Sequence, residues 1–263
     1  YSVHLQNMLD AGLNPCPQTL VSVIKELGFG SYVPAHKPSL TEARKKIRLA
    51  WAKDKLNMTV DQWRSVIWSD ESRYTVLGND GGHRVIRRIG ERYDSKHIVK
   101  TMKYGGDPVM LWGCFWAGGI GPLVVLDGSV NQDVYVSTLP NFFLFFLEEL
   151  TEVEKRKFIF QEDGASCHTG AYATWFKKER CQIDGFDYCP AQSLDLNPIE
   201  HLWAHLEKRI SKRRRQIKKV EELKGCLYDE WRNIDNEYLE TLVASMPRRC
   251  QAVIDAHGGS TRY

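Results

Sequence analysis

The 263-residue sequence predicts an α/β fold: a mixed sheet flanked by helices, with a small helical segment in front. Three features of the pattern predict it. Apolar residues recur at helical spacing up to about residue 60. From about Gln62, short runs rich in β-branched and aromatic residues alternate with Gly and Asn/Asp punctuation. After Val134 helical and strand patterns alternate, and the chain closes on helices, the order expected of a sheet covered on both sides. At 43% hydrophobic content the chain can bury one substantial core and a small accessory unit.

Residues 1–36 read as two short helices, VHLQNMLDAG and QTLVSVIKELG, parted by a break at Asn14–Pro17; the second carries Leu20, Val23, Ile24 and Leu27 on one face. A tight break of this kind suits a partial helix-turn-helix, and equally an ordinary helical hairpin, since Lys25 is the single base on the second helix. Ser31–Pro38 reads as a connector. Within residues 37–61, Ser39 and Glu42 form a capping-box pattern for a linker helix with Ala43, Ile47, Ala50 and Trp51 inward. Strands follow in SVIWSDESRYTVL, HRVIRRI, PVMLWGCFW and GPLVVLDG. Val134–Leu150 reads as a helix, Lys157–Gln161 as a buried strand, Ala171–Arg180 as a helix and Phe186–Tyr188 as a short strand. Ile199, Leu202, Trp203, Leu206 and Ile210 then make the apolar face of another helix, with Asn197 as N-cap and Pro198 at its first position. Helices over 220–228 and 237–243 complete the residue 62–263 domain.

Net charge is only +3, so any case for nucleic acid rests on where the charge lies. Lys208–Lys219 holds eight basic residues and no acid, and Arg44, Lys45, Lys46 and Arg48 cluster on the linker helix. Seven cysteines without a C-x-x-C pair suit reduced thiols inside a cell, and no common zinc spacing is present. The longest strongly apolar run, Phe142–Leu147, is too short to span a bilayer. No secretory signal pattern is visible, and because the chain opens on Tyr1 rather than Met, a fragment or a gene model without its start is expected.

Three acids stand at the ends of elements. Asp70 closes SVIWSDES, Asp163 closes KFIFQEDG, and Glu200 lies in the first turn of its helix. Carboxylates delivered by rigid elements suit Mg²⁺, which takes oxygen ligands and leaves positions for substrate phosphate and water. Alternation along a strand does not decide between Asp70 and Glu71, or between Glu162 and Asp163. Each acid also has a structural reading: Glu200 as the reciprocal member of a capping box, the others as solvated strand-end residues.

Four ordered blocks, VIWSDESRYTVLG, VMLWGCFWAGGIGPLVVLDG, FIFQEDGASCHTG and AQSLDLNPIEHLW, resemble the successive signatures of the Tc1/mariner superfamily of DNA transposases, and PSLTEARKKIRLAWAKDKLNMTVDQW resembles the segment leading into their catalytic domain. The resemblance implies an RNase H-like catalytic domain over residues 62–263, with an Asp-Asp-Glu triad of Asp70, Asp163 and Glu200 as metal ligands. It implies a pair of Mg²⁺ or Mn²⁺ ions, cleavage of transposon ends, and attack of the freed 3′-hydroxyl on TA-containing target DNA. Double-stranded DNA, a homodimer and a nuclear location follow, with no membrane. His168 and Asn197 are expected to support the site. Lys45, Lys46, Arg48, Lys208, Arg209, Lys212, Arg213, Arg214 and Arg215 are expected to contact phosphates. The chain has room for one of the family's two helix-turn-helix units. That departure motivates an alternative, a catalytically silent or domesticated transposase-derived DNA-binding protein; a nuclease for RNA–DNA hybrids is a third class.

Overall fold

The computed structural model describes residues 16–26, 40–76, 108–126 and 132–263. The expected helix over 3–12, the 31–38 connector and the HRVIRRI strand lie outside them. The chain divides into two compact units, Tyr1–Pro38 and Ser39–Tyr263. In the first, helix α1 spans Pro17–Glu26, and Val23, expected to face inward, is exposed.

The second unit is built on four strands: β1 Val66–Tyr74, β2 Val109–Trp116, β3 Gly119–Leu126 and β4 Ile159–Gln161. Their order is β3-β2-β1-β4, with β1 antiparallel to β2 and parallel to β4, so the sheet is mixed as expected. In the parallel pair Trp68 stands opposite Gln161. Asp70 and Asp163 each follow that pair by two residues, Asp70 still within β1 and Asp163 just beyond the end of β4. Asp70 is a mid-strand residue and not a strand end, since β1 continues to Tyr74. Phe186–Tyr188 does not form the expected strand. The short β4 instead takes a single parallel bridge from Phe160 to Gly185.

Helices cover the sheet. Thr41, with extended backbone, caps α2 (Glu42–Lys55) by accepting from Arg44 N at 3.3 Å, displacing the expected Ser39 cap. The inward face of α2 is also different from the apolar pattern: Ala43, Ile47 and Ala50 are exposed, whereas Arg48, Trp51 and Ala52 are buried. A paired buried charge outweighs three modest apolar side chains here. Trp51 joins Trp63 of α3 (Val60–Arg64), Trp68 and Phe186 in an aromatic cluster beneath the sheet, with Trp63 and Trp68 stacked at 5.8 Å.

After β3 the chain runs through α4 (Gln132–Thr138), one π-helical turn at Leu139–Phe143, and α5 (Leu144–Glu154). Pro140 explains the wide turn, since it has no N–H for the regular ladder and the amide of Leu144 returns to Leu139 O. Short helices α6 (Ser166–Thr169) and α7 (Ala171–Trp175) follow β4. Helix α8 (Ile199–Arg213) buries all five residues of its expected apolar face. Helices α9 (Val220–Arg232), α10 (Asn236–Ala244) and α11 (Met246–Asp255) close the unit. Among the described residues no helix is long and apolar enough to cross a membrane.

Candidate active site

Sheet and helix deliver the three acids to one place. Asp70 comes from the middle of β1, Asp163 from two residues past β4, and Glu200 from the first turn of α8. Glu200 and Asp70 are close enough to perturb one another, and Glu200 lies within the field of Asp163. Burial, and then the charges of Glu200, Glu71 and Asp163, push Asp70 up to about 8. Burial and the Asp163 charge likewise raise Glu200. Like charges crowded at a partly dry site disfavour ionisation, so the set stores repulsion that a cation would relieve. No group of three or more His, Cys, Asp or Glu side chains among the described residues stands in ligating geometry for a metal ion. The acids converge without forming a closed cage.

The adjacent acids separate by their partners. Glu162 pairs with Lys177 and accepts from the Tyr135 hydroxyl, which occupies it inside the protein. Asp163 is half exposed, and Ala165 N and His168 Nδ1 both bond its Oδ1, at 2.9 and 2.7 Å. His168 is almost fully buried against the Tyr135 ring, and its Nε2 lies 3.2 Å from Glu71 Oε1. Burial pulls this imidazole down, yet the bonds and charges of Asp163 and Glu71 prevail and raise it to about 10. A protonated His168 therefore donates to both acids, and Asp163 is held below the usual carboxylate range: burial opposes this, but the His168 and Ala165 bonds outweigh it. Asp163 and His168 line a cleft of about 620 Å³ with Lys178, Asp187 and Tyr188.

On the other side, the Trp203 indole N–H donates to Asp70 Oδ2 at 3.2 Å. Trp203 is one helical turn after Glu200, so the two share a face. Its ring stacks on Trp231 at 5.2 Å and fits because Gly113 stands opposite Asp70 in the β1–β2 register. A Cβ at Gly113 would lie 2.8 Å from the Trp203 ring. Sequence reasoning missed Trp203 and Gly113 as site residues. A lone glycine inside VMLWGCFW was the available signal, since such a glycine marks a close approach.

Asn197 does not cap α8. The helix begins at Ile199 behind Pro198 with no side-chain cap, and Asn197 Oδ1 is buried without a hydrogen-bond partner. Glu200 therefore has no capping-box role.

The expected phosphate contacts divide. Arg48 is 1% exposed, with both guanidinium Nη atoms on Asp195 at 2.8 and 2.7 Å, so no phosphate reaches it in this conformation. Lys45 pairs with Glu42, and Lys46 is exposed. The basic run does not continue one helix: α8 ends at Arg213, a single tighter turn follows at Arg214–Gln216, and Ile217 beyond it is extended and buried. Arg209 and Arg213 both hold Glu230, and Arg214 holds Glu207 and the Thr75 carbonyl. Lys208, Lys212 and Arg215 point outward. Burial and then Arg209, Lys208 and Lys212 lower His205, a local sign of positive potential along α8.

The mixed sheet flanked by helices is an RNase H-like fold, and the chain is of the DDE endonuclease class. A family model described as DDE superfamily endonuclease matches residues 65–224, and one described as Transposase matches residues 2–57. The Transposable element Tc1 transposase of Caenorhabditis elegans is 35% identical over 254 residues, covering 95% of this chain and 89% of that protein. The Tcb1 transposase of Caenorhabditis briggsae is 36% identical over 250 residues, with the same coverage of 95% and 89%. Among solved structures, a pre-cleavage Mos1 transpososome superposes with a TM-score of 0.81 at 18% identity, covering 98% of this chain and 75% of that one. The Mos1 strand transfer complex gives 0.75 at 19% identity, covering 100% and 79%. The chain belongs to the Tc1/mariner superfamily of DDE transposases.

Proposed function

We propose that Asp70, Asp163 and Glu200 are the catalytic acids with which this transposase cleaves transposon ends and joins them to TA-containing target DNA, holding a pair of Mg²⁺ or Mn²⁺ ions. The observation that carries this is the convergence of three carboxylates from β1, the residues just after β4, and α8, two of them raised by burial and then by their neighbours' charge. The donor set fits: hard oxygen ligands whose mutual repulsion a divalent cation would offset. Bound cations would supply activation of the attacking oxygen and neutralisation of charge at the phosphate. The protein's own residues set the stage. With both bonds to Asp163 ending on Oδ1, Oδ2 is left for a ligand, while Trp203 fixes the rotamer of Asp70 through Oδ2. His168 ties Asp163 to Glu71 and keeps the β4 and β1 acids level.

Residues 1–36 act in this reading as a helix-turn-helix-type DNA-binding segment, 37–61 as a linker and 62–263 as the catalytic domain. Lys208, Lys212 and Arg215 meet phosphates of double-stranded DNA without reading sequence. The active form is a homodimer that pairs two transposon ends in the nucleus, a reading supported by the Mos1 paired-end complexes with Mn and Mg among the structural neighbours.

Metal-dependent nicking and strand transfer by the wild type, Asp70→Asn, Asp163→Asn and Glu200→Gln test it. Each variant should remain folded and lose activity. Glu200→Gln is the most telling, since Glu200 caps nothing. Salt-dependent DNA binding by the wild type without cleavage would favour a silent, DNA-binding derivative instead.

A further inference from the structure

Among the described residues, Arg48 and Asp195 form an extensively bonded ion pair away from the acids. Asp195 sits in the single turn Leu194–Leu196, 6% exposed, five residues before Glu200. Its two carboxylate oxygens receive the two Nη atoms of Arg48, and Oδ2 also accepts from the Thr261 hydroxyl at 2.9 Å. Its backbone carbonyl accepts from Arg249 Nη1 at 2.9 Å. The remaining donors of Arg48 reach Gly258 O at 2.9 Å, Gly259 O at 3.0 Å and Gln192 O at 3.3 Å. One guanidinium thus joins three stretches of chain: α2, the loop before α8, and the segment after α11.

We propose that Arg48 and Asp195 are positioning residues for Glu200, clamping the loop from which α8 starts between α2 and the Gly258–Thr261 segment. The inference rests on the reading of Glu200 as a catalytic acid. The path from the pair to Glu200 is short and stiff. Asn197 N bonds Leu194 O at 3.1 Å and Glu200 N bonds Asn197 O at 3.3 Å, while Leu196 and Ile199 are buried on either side of Pro198. A shift of Asp195 is passed to Glu200 because little in between can absorb it. Stability alone does not account for the pair, since a well-packed apolar replacement of a buried ion pair is often equally stable. What the guanidinium fork adds is direction: a planar set of donors fixes several acceptors at once. Ligand geometry for a cation tolerates errors of only about 0.5 Å, so the start of α8 is where such precision has a use.

The test uses the full chain as wild type, Asp195→Asn, Arg48→Lys and Thr261→Val. Mn²⁺ affinity is measured by calorimetry without DNA, kcat and KM for nicking by kinetics, and folding by circular dichroism melting. Removing outer partners of ligand residues typically costs about 10–100-fold in metal affinity or activity. Asp195→Asn and Arg48→Lys should weaken Mn²⁺ binding by about tenfold and lower kcat at unchanged KM for DNA. Thr261→Val should move both in the same direction, and it decides the matter if the other two fail to fold. Variants that melt earlier yet keep wild-type Mn²⁺ affinity and kcat would overturn the proposal while leaving the catalytic reading intact. A wild type that neither binds Mn²⁺ nor nicks DNA would overturn both.

Discussion

The indole N–H of Trp203 donates to Asp70 across the interface between α8 and the sheet, so the helix that carries one candidate acid also orients another. Tyr74, four residues after Asp70 on β1, returns the link by donating its hydroxyl to the Trp203 carbonyl at 3.2 Å. Strand and helix are thereby joined at two points beside the site.

Trp203→Phe keeps most of the ring and removes the donor. Leaving a buried acceptor short of its partner costs about 1–3 kcal/mol, to be read from denaturant unfolding, with a fall in nicking activity. Gly113→Ala should cost about 1–3 kcal/mol by overpacking against the same ring. In the Trp203→Phe background, where the nearest ring atom is gone, Gly113→Ala should cost clearly less. Additive effects in that double-mutant cycle would show that the glycine is not there to admit the indole.

Gly258 adopts φ +82°, and a Cβ there would lie 2.0 Å from the Lys45 carbonyl oxygen of α2. Gly258→Ala should lose about 1–3 kcal/mol from backbone strain alone, and more because that neighbour is backbone and cannot swing aside. Thermal melting checks this; an unchanged midpoint would mean that the segment does not press on α2 in solution.

The Asp195 carboxyl lies below its ordinary range: burial pushes it up, but the Arg48 fork and then Thr261 pull it down further. Its contribution to stability is therefore complete above the unfolded value of about 3.9 and disappears as pH falls through the lower, folded value. Asp195→Asn should be less stable than wild type at pH 7, and its stability should fall less steeply below about pH 4. Parallel acid limbs for the two proteins would contradict the pairing.

Lys208 and Lys212 face outward on α8, whereas Arg48 is enclosed. Replacing both lysines with Gln should lower DNA affinity and reduce the slope of log K against log salt by roughly 0.9 per lost phosphate contact. Arg48→Lys should leave that slope unchanged. A salt slope indifferent to Lys208 and Lys212 would move the DNA path off this helix.

Much of the architecture was legible before any coordinates, because it depends on local periodicity. The five-residue apolar stripe of α8 repeats at helical spacing, and the branched and aromatic runs of β1, β2 and β3 are bounded by turn residues. Phe186–Tyr188 was misread because an aromatic pair has the same composition in a strand as in a core plug, and Phe186 instead packs on Trp51 and Trp63. The inward face of α2 was misread because a helical wheel ranks arginine as a surface residue. Only a partner such as Asp195, 147 positions away in the chain, reverses that ranking.

The three candidate acids, too, could be picked out from their blocks in the chain, although Asp70 proved to lie in the middle of its strand and not at its end. How the acids of each neighbouring pair are partnered was decided by tertiary structure. Lys177 and Tyr135 occupy Glu162, whereas His168 bridges Glu71 and Asp163, and Asp163 stays half exposed at the cleft. These partners lie on other elements, and one-dimensional spacing carries no information about which side chains a fold brings within bonding distance. Periodicity is a property of neighbours along the chain; burial and the crowding of like charges, which together raise Asp70, are properties of neighbours in space.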